Sequence, residues 1–182
     1  MKLLPAVLTG CLLALPALAI AQDVKIDYDK AFNFAPVKTY AIKIGTTWGN
    51  DLSQRRVLEE IDQAIAAKGW KKVNEGQADI HVVLHGATST KHNVNTFYSG
   101  GMGGYGYRYG GMGGMGTAST TVSEYTVGTL VVDMFDAKTK NLVFRGVAED
   151  EISDKPEKNV KKLDKATTKM FKDFPPGSAK KK

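Results

Sequence analysis

Three histidines, two groups of carboxylates and a tract of glycines are the residues whose types and spacing could do chemistry in this 182-residue chain. His81 and His85 stand four apart, the spacing at which two imidazoles on one helix face can share a zinc ion. Ile80, Val82 and Leu84 alternate around them, however, and that period of two marks a strand. Four residues along a strand span roughly 13 Å at about 3.3 Å each, too far for one metal. The pair, with His92 further along, therefore reads as histidines on a sheet face, and no metal site is expected. Asp27 and Asp29 share one strand face, and Glu149-Asp150-Glu151 with Asp154 forms an acidic cluster. Such carboxylates can hold a hard cation or act as an acid and base pair across a scissile bond. Neither group has the spacing of a calcium loop, and solvated strand ends beside a helix start explain both. No Gly-x-Ser-x-Gly and no His-Glu-x-x-His occurs.

The glycine tract runs from Gly100 to Gly116 and holds ten of the 19 glycines. Gly101 to Gly106 and Gly111 to Gly116 both fit G-x-G-x-x-G. That motif binds a pyrophosphate only when a strand precedes it and a helix follows. Here Thr117 to Val122 follows, with the composition of a strand, so the match reflects glycine content and no catalytic residue or cofactor is expected. Composition alone describes a loop without a partner. If the tract does touch a partner, the adaptable contacts come from Tyr105, Tyr107, Tyr109 and Met112, with Arg108 stacking between tyrosines.

The elements that must position these groups can be read from periodicity. Val24, Ile26 and Tyr28 alternate with charged residues as a strand, and Tyr40, Ile42 and Ile44 repeat the pattern. A helix starts at Asn50-Asp51, where Asp51 and Gln54 suit a capping box. Leu58, Ile61, Ala64 and Ile65 share its apolar face, and Gly69 follows as the C-cap. Short and long strands are expected at Trp70–Val73 and Asp79–Thr90. Thr120–Phe135 and Leu142–Ile152 form a hairpin around the polar turn 136–141. A last helix begins near Pro156 with Val160, Leu163, Thr167, Met170 and Phe174 as its inner stripe. The fold class is α+β: a mostly antiparallel twisted sheet, two helices on one face, and the glycine-rich segment of about 99–117 as an extended hairpin loop.

Residues 1–21 read as a cleavable export signal. Lys2 is followed by an apolar run to Leu18, and Ala19-Ile20-Ala21 supplies the small residues read by a signal peptidase. The run is interrupted by Pro5, Gly10 and Pro16 and falls short of the about 20 apolar residues that span a bilayer. Leu8-Thr9-Gly10-Cys11 matches a lipobox, so Cys11 is the candidate for lipidation. Only ten residues precede it, and the apolar residues after it suit a leader better than a lipoprotein linker. Cleavage after Ala21 leaves 161 residues without cysteine, organised as one domain over 22–174 with a Lys-rich disordered tail at 175–182. The net charge of +6 falls to +5 with the loss of Lys2, and three further lysines sit in the tail. A nucleic-acid partner is not expected from so weak a charge density, while the tail or an acylated Cys11 would give weak membrane association.

Certain stretches resemble the bacterial domain-of-unknown-function family 4136, whose members are envelope proteins and often lipoproteins. They are Val24-Lys25-Ile26-Asp27-Tyr28-Asp29, Lys38-Thr39-Tyr40-Ala41 after Phe34, and Lys68-Gly69-Trp70. Ala78-Asp79, Gly128-Thr129-Leu130-Val131-Val132-Asp133, the turn Asp136 to Thr139, Leu142-Val143-Phe144-Arg145-Gly146 and Phe174-Pro175-Pro176 complete the series. Ile42 departs from it, standing where the family more often has Trp. The resemblance implies an α+β envelope domain and brings no established activity. The expected function is an exported, non-enzymatic binding or structural module of the periplasm or outer membrane, with an envelope protein or surface as its partner. Two other readings stay open: a hydrolase or metal-dependent enzyme built on the strand-end carboxylates, and a lipid-anchored accessory subunit that depends on Cys11.

Overall fold

A computed structural model describes residues 22–48, 50–99 and 117–177. Residues 1–21, Gly49, the glycine tract from 100 to 116 and the last five residues lie outside these. Eight elements position the sites, in the order β1 (Asp23–Tyr28), β2 (Thr39–Thr46), α1 (Asp51–Ala66), β3 (Lys71–Lys72), β4 (Ile80–Ser99), β5 (Thr117–Asp136), β6 (Leu142–Glu151) and α2 (Pro156–Met170). The strands form one sheet in the order β1-β6-β5-β4-β2-β3.

The sheet is mixed. β1, β6, β5 and β4 are antiparallel neighbours, so the antiparallel expectation describes that half. β2 runs parallel to both β4 and β3, because α1 crosses over between β2 and the later strands and returns the chain in the same direction. Among the described residues no helix is long and apolar enough to cross a membrane.

Both helices lie over one sheet face. Val57, Ile61 and Ile65 of α1 and Ala166 and Met170 of α2 are buried with Tyr40, Val82, Leu84, Val132, Met134 and Phe144. Gly146 allows the close approach of α2, since a Cβ there would lie 2.4 Å from the Met170 sulfur. Beyond α2, Phe171 and Phe174 join Trp70, Phe144 and Phe34 in an edge-to-face cluster. Phe174 thus belongs to the core but lies past the helix end.

Several local details differ from the sequence reading. Asn50, not Asp51, is the N-cap of α1: its Oδ1 accepts the amides of Leu52 and Ser53 at 2.9 and 3.2 Å. α1 ends at Ala66, and Gly69 provides a left-handed exit two residues beyond the cap, with φ +89. Val143 is left over where Met134 pairs with Phe144 and Phe135 with Leu142. This bulge lets Val143 and Phe144 both be buried although they are adjacent. Val160 is not part of the inner stripe of α2; it is 44% exposed.

Asp79 ties the start of β2 to the start of β4. Its Oδ2 accepts the amides of Lys38 and Thr39, both at 3.0 Å, and the Thr39 hydroxyl at 2.8 Å. The Lys38 amide first, then the Thr39 hydroxyl, hold its carboxyl below the usual range. Tyr40 carries its hydroxyl into the helix layer and donates to Asp62 Oδ1 at 2.7 Å. Burial, helped by that carboxylate, raises the phenol above its ordinary value.

Candidate functional site

The carboxylates and histidines singled out by type do not converge. Asp27 Oδ1 accepts the amide of Tyr28, and Asp29 Oδ1 caps the following turn at the amide of Ala31. Asp150 pairs with Lys162 at 2.9 Å, and Asp154 is exposed. His81 Nε2 lies 3.1 Å from the carbonyl of Glu75, and His92 Nδ1 lies 3.3 Å from Glu124 Oε1 on the next strand. Asp29, Glu149 and His81 open onto three different depressions. Among the described residues no three of these side chains gather in metal-binding range.

His85 does meet a carboxylate, though one the sequence reading passed over. Asp133, 2% exposed, sits mid-strand in β5 on the face away from the helices. Arg145 of the neighbouring strand clasps it through Nε and Nη2, both at 2.6 Å, and the Asp133 contact holds the guanidinium above its ordinary pKa. His85 Nε2 stands 3.9 Å from Asp133 Oδ2, while its Nδ1 bonds Thr46 Oγ1 at 2.9 Å. A bulge at Gly45 puts Thr46 opposite His85, and a Cβ on Gly45 would come within 2.4 Å of the imidazole. The available signal was a charged residue interrupting the apolar run Leu130-Val131-Val132, with an arginine in the register-matched place on β6. The cluster cross-links four strands, β2, β4, β5 and β6. With both Asp133 carboxylate oxygens already engaged by Arg145, it has the character of a brace.

The largest of these three depressions lies on the other face, where the N-terminal turns of both helices meet the sheet. It is a cleft of about 430 Å³. Its floor is apolar, formed by Leu130 and Ala148 between Val57 and Ala166. Three large apolar side chains stand at its mouth: Leu52 is 54% exposed, Val160 44% and Ile152 40%. Trp48 forms a wall by lying flat on Gly86, where any Cβ would strike its ring. Strand alternation sorts the charges around it. Asp150 and Ile152 share the face of Ala148, whereas Glu149 and Glu151 belong to the opposite face with Val147. On the cleft side Lys162 is matched by Asp150. Arg56 has no ion-pair partner among the described residues.

From this end of the sheet β4 and β5 run on alone. Their pairing continues from Thr90 opposite Thr126 to Ser99 opposite Thr117, about 30 Å at roughly 3.3 Å per residue. Among the described residues no third strand flanks this arm. Val94 and Val122 face each other across it and are each 58% exposed. The contact residues expected in the glycine tract, Tyr105, Tyr107, Arg108, Tyr109 and Met112, follow the end of the arm and lie outside the described residues, as does Cys11.

The family model described as Domain of unknown function (DUF4136) matches residues 24–176. No curated protein matches the chain. Among solved structures, the PelC dodecamer from Paraburkholderia phytofirmans is similar at 10% identity and a TM-score of 0.45, covering 80% of this chain and 94% of that one. A PDZ domain protein from Parabacteroides distasonis is similar at 15% identity and a TM-score of 0.48, covering 84% of this chain and 35% of that one. A homolog of the neuraminyllactose-binding hemagglutinin from Helicobacter pylori reaches 10% identity and a TM-score of 0.38, covering 73% and 81%.

Proposed function

The chain belongs to the DUF4136 family, and from that starting point we propose that it is an exported, non-enzymatic module of the cell envelope that holds a partner with its β4–β5 arm. The observation that carries the reading is the arm itself. A two-stranded ribbon is marginal in water unless another surface covers it, and this one exposes a facing valine pair and two unpaired edges. Export is supported by the Ala19-Ile20-Ala21 site after an apolar leader. A non-enzymatic role is supported by how the candidate side chains are used: in a turn cap at Asp29, an ion pair at Asp150, and a strand brace at His85.

The test replaces residues 99–117 with Asn-Gly, which closes a hairpin of shorter reach, and places a photo-crosslinker at Val94. The shortened protein is expected to keep its unfolding midpoint. The full arm is expected to give a discrete envelope adduct that is lost on shortening. An adduct pattern unchanged by the replacement would remove the arm from the function. Intact mass of the exported protein, expected to start at Gln22 without lipid, tests the address.

A further inference from the structure

Beyond the arm, we infer that the cleft between α1, α2 and the sheet binds a free single-chain amphiphile with an anionic head. The volume of 430 Å³ lies in the range of small-ligand sites, about 300–1,000 Å³. The apolar part of its lining is aliphatic apart from Trp48, which suits an alkyl chain better than a flat aromatic ring. Leu52, Ile152 and Val160 account for three of the large apolar side chains that the described residues leave exposed, and all three border this one opening. They are separated in sequence by up to 108 positions, so the fold has gathered them. An alkyl chain laid on Leu130 and Ala148 would cover them.

The head group follows from charge. Glu149 and Glu151 border the cleft, but strand alternation directs their side chains to the other sheet face, and Asp150 is spent on Lys162. Arg56 is left as the unmatched charge on the cleft side. It stands at the mouth beside the first turns of both helices, whose amide ends add to a positive potential. A carboxylate there neutralises Arg56 while its chain enters the cleft. A cationic head would meet the guanidinium, and a neutral one would leave it unmatched.

Trp48 supplies the readout, because it borders the cleft whereas Trp70 is buried in the aromatic cluster. The full chain, prepared without detergent, is titrated with octanoate, decanoate and dodecanoate below their micellar concentrations. Acrylamide quenching of the half-buried Trp48 is followed. Saturable protection is expected, with affinity rising about fourfold per added methylene until the cleft is filled. Arg56→Gln is expected to weaken decanoate at least threefold and to leave decyl maltoside unchanged. Val160→Glu, at an exposed helix position that tolerates the change, is expected to abolish protection by both. Lys25→Gln on the opposite face serves as the control. Absence of saturable protection, a gain below twofold per methylene, or equal loss of carboxylate and maltoside in Arg56→Gln would overturn the inference. So would a concentration-dependent dimer that Val160→Glu dissolves and decanoate leaves intact, since a second copy would then be the occupant.

Discussion

Removing the Arg145 side chain is the sharpest test of how the open sheet face is held. Arg145→Met keeps most of the aliphatic stem and deletes both 2.6 Å bonds to Asp133. Breaking a fully buried pair by removing one partner costs about 3–5 kcal/mol, whereas a surface pair is worth about 0–1 kcal/mol. This pair lies between the limits. The Asp133 side chain is 4% exposed but that of Arg145 is 50% exposed, so water can replace part of the guanidinium. A loss of about 2 kcal/mol follows, equivalent to about 4–8 °C in Tm for a domain of this size. The reverse deletion, Asp133→Leu, leaves an arginine that can turn to solvent, and is expected to cost about 1 kcal/mol. The double variant should lose less than the sum, because two apolar groups of similar volume leave no charge unmatched. Urea unfolding of all four proteins gives the coupling energy, expected at about 1–2 kcal/mol. A coupling below about 0.5 kcal/mol, or an Arg145→Met variant as stable as the parent, would refute the brace.

Other perturbations probe other joints. Asn50→Ala should cost about 1 kcal/mol by freeing the amides of Leu52 and Ser53, and Asn50→Asp should not; helix content and the urea midpoint report both. Asp79→Asn should cost about 1 kcal/mol at neutral pH, given its partial access to water. Because the folded carboxyl of Asp79 is depressed, its contribution is present above the unfolded value of about 3.9. It is lost as pH falls through the folded value, so the variant should show a shallower acid limb in midpoint against pH. Gly146→Val should cost about 1–3 kcal/mol by driving a side chain into Met170. Met170→Ala in the same chain should recover part of that, and strict additivity in thermal unfolding would contradict the close contact.

Much of the fold was legible because its elements obey simple periods. The alternation at Ile80, Val82 and Leu84 placed a strand and thereby dismissed a zinc pair that the histidine spacing alone invited. What alternation does not encode is which strands become neighbours. Tyr40, Ile42 and Ile44 read the same in a parallel or an antiparallel setting, so the crossover through α1 was visible only as a helix. The cleft escaped for a related reason. Val160 has the right phase for the inner stripe of α2, but phase describes a helix fully covered by a neighbour, and here the first turns of α1 and α2 leave a gap. Asp133 is a single charge in an apolar run. Its partner lies twelve residues away, beyond the reach of any local pattern.

The pairing of β1 with β6 has a consequence in time. Asp23 lies opposite Glu149 and Tyr28 opposite Phe144, so the first strand of the sheet finds its place against nearly the last. Closing a loop of about 120 residues is slow relative to forming the β5–β6 hairpin. The edge strand therefore docks late, after the rest of the sheet exists to receive it. Until β6 has been made, β1 has no neighbour to pair with. The export proposed above is served by such an order, because a chain whose two ends complete each other in the sheet cannot finish that sheet before both are made.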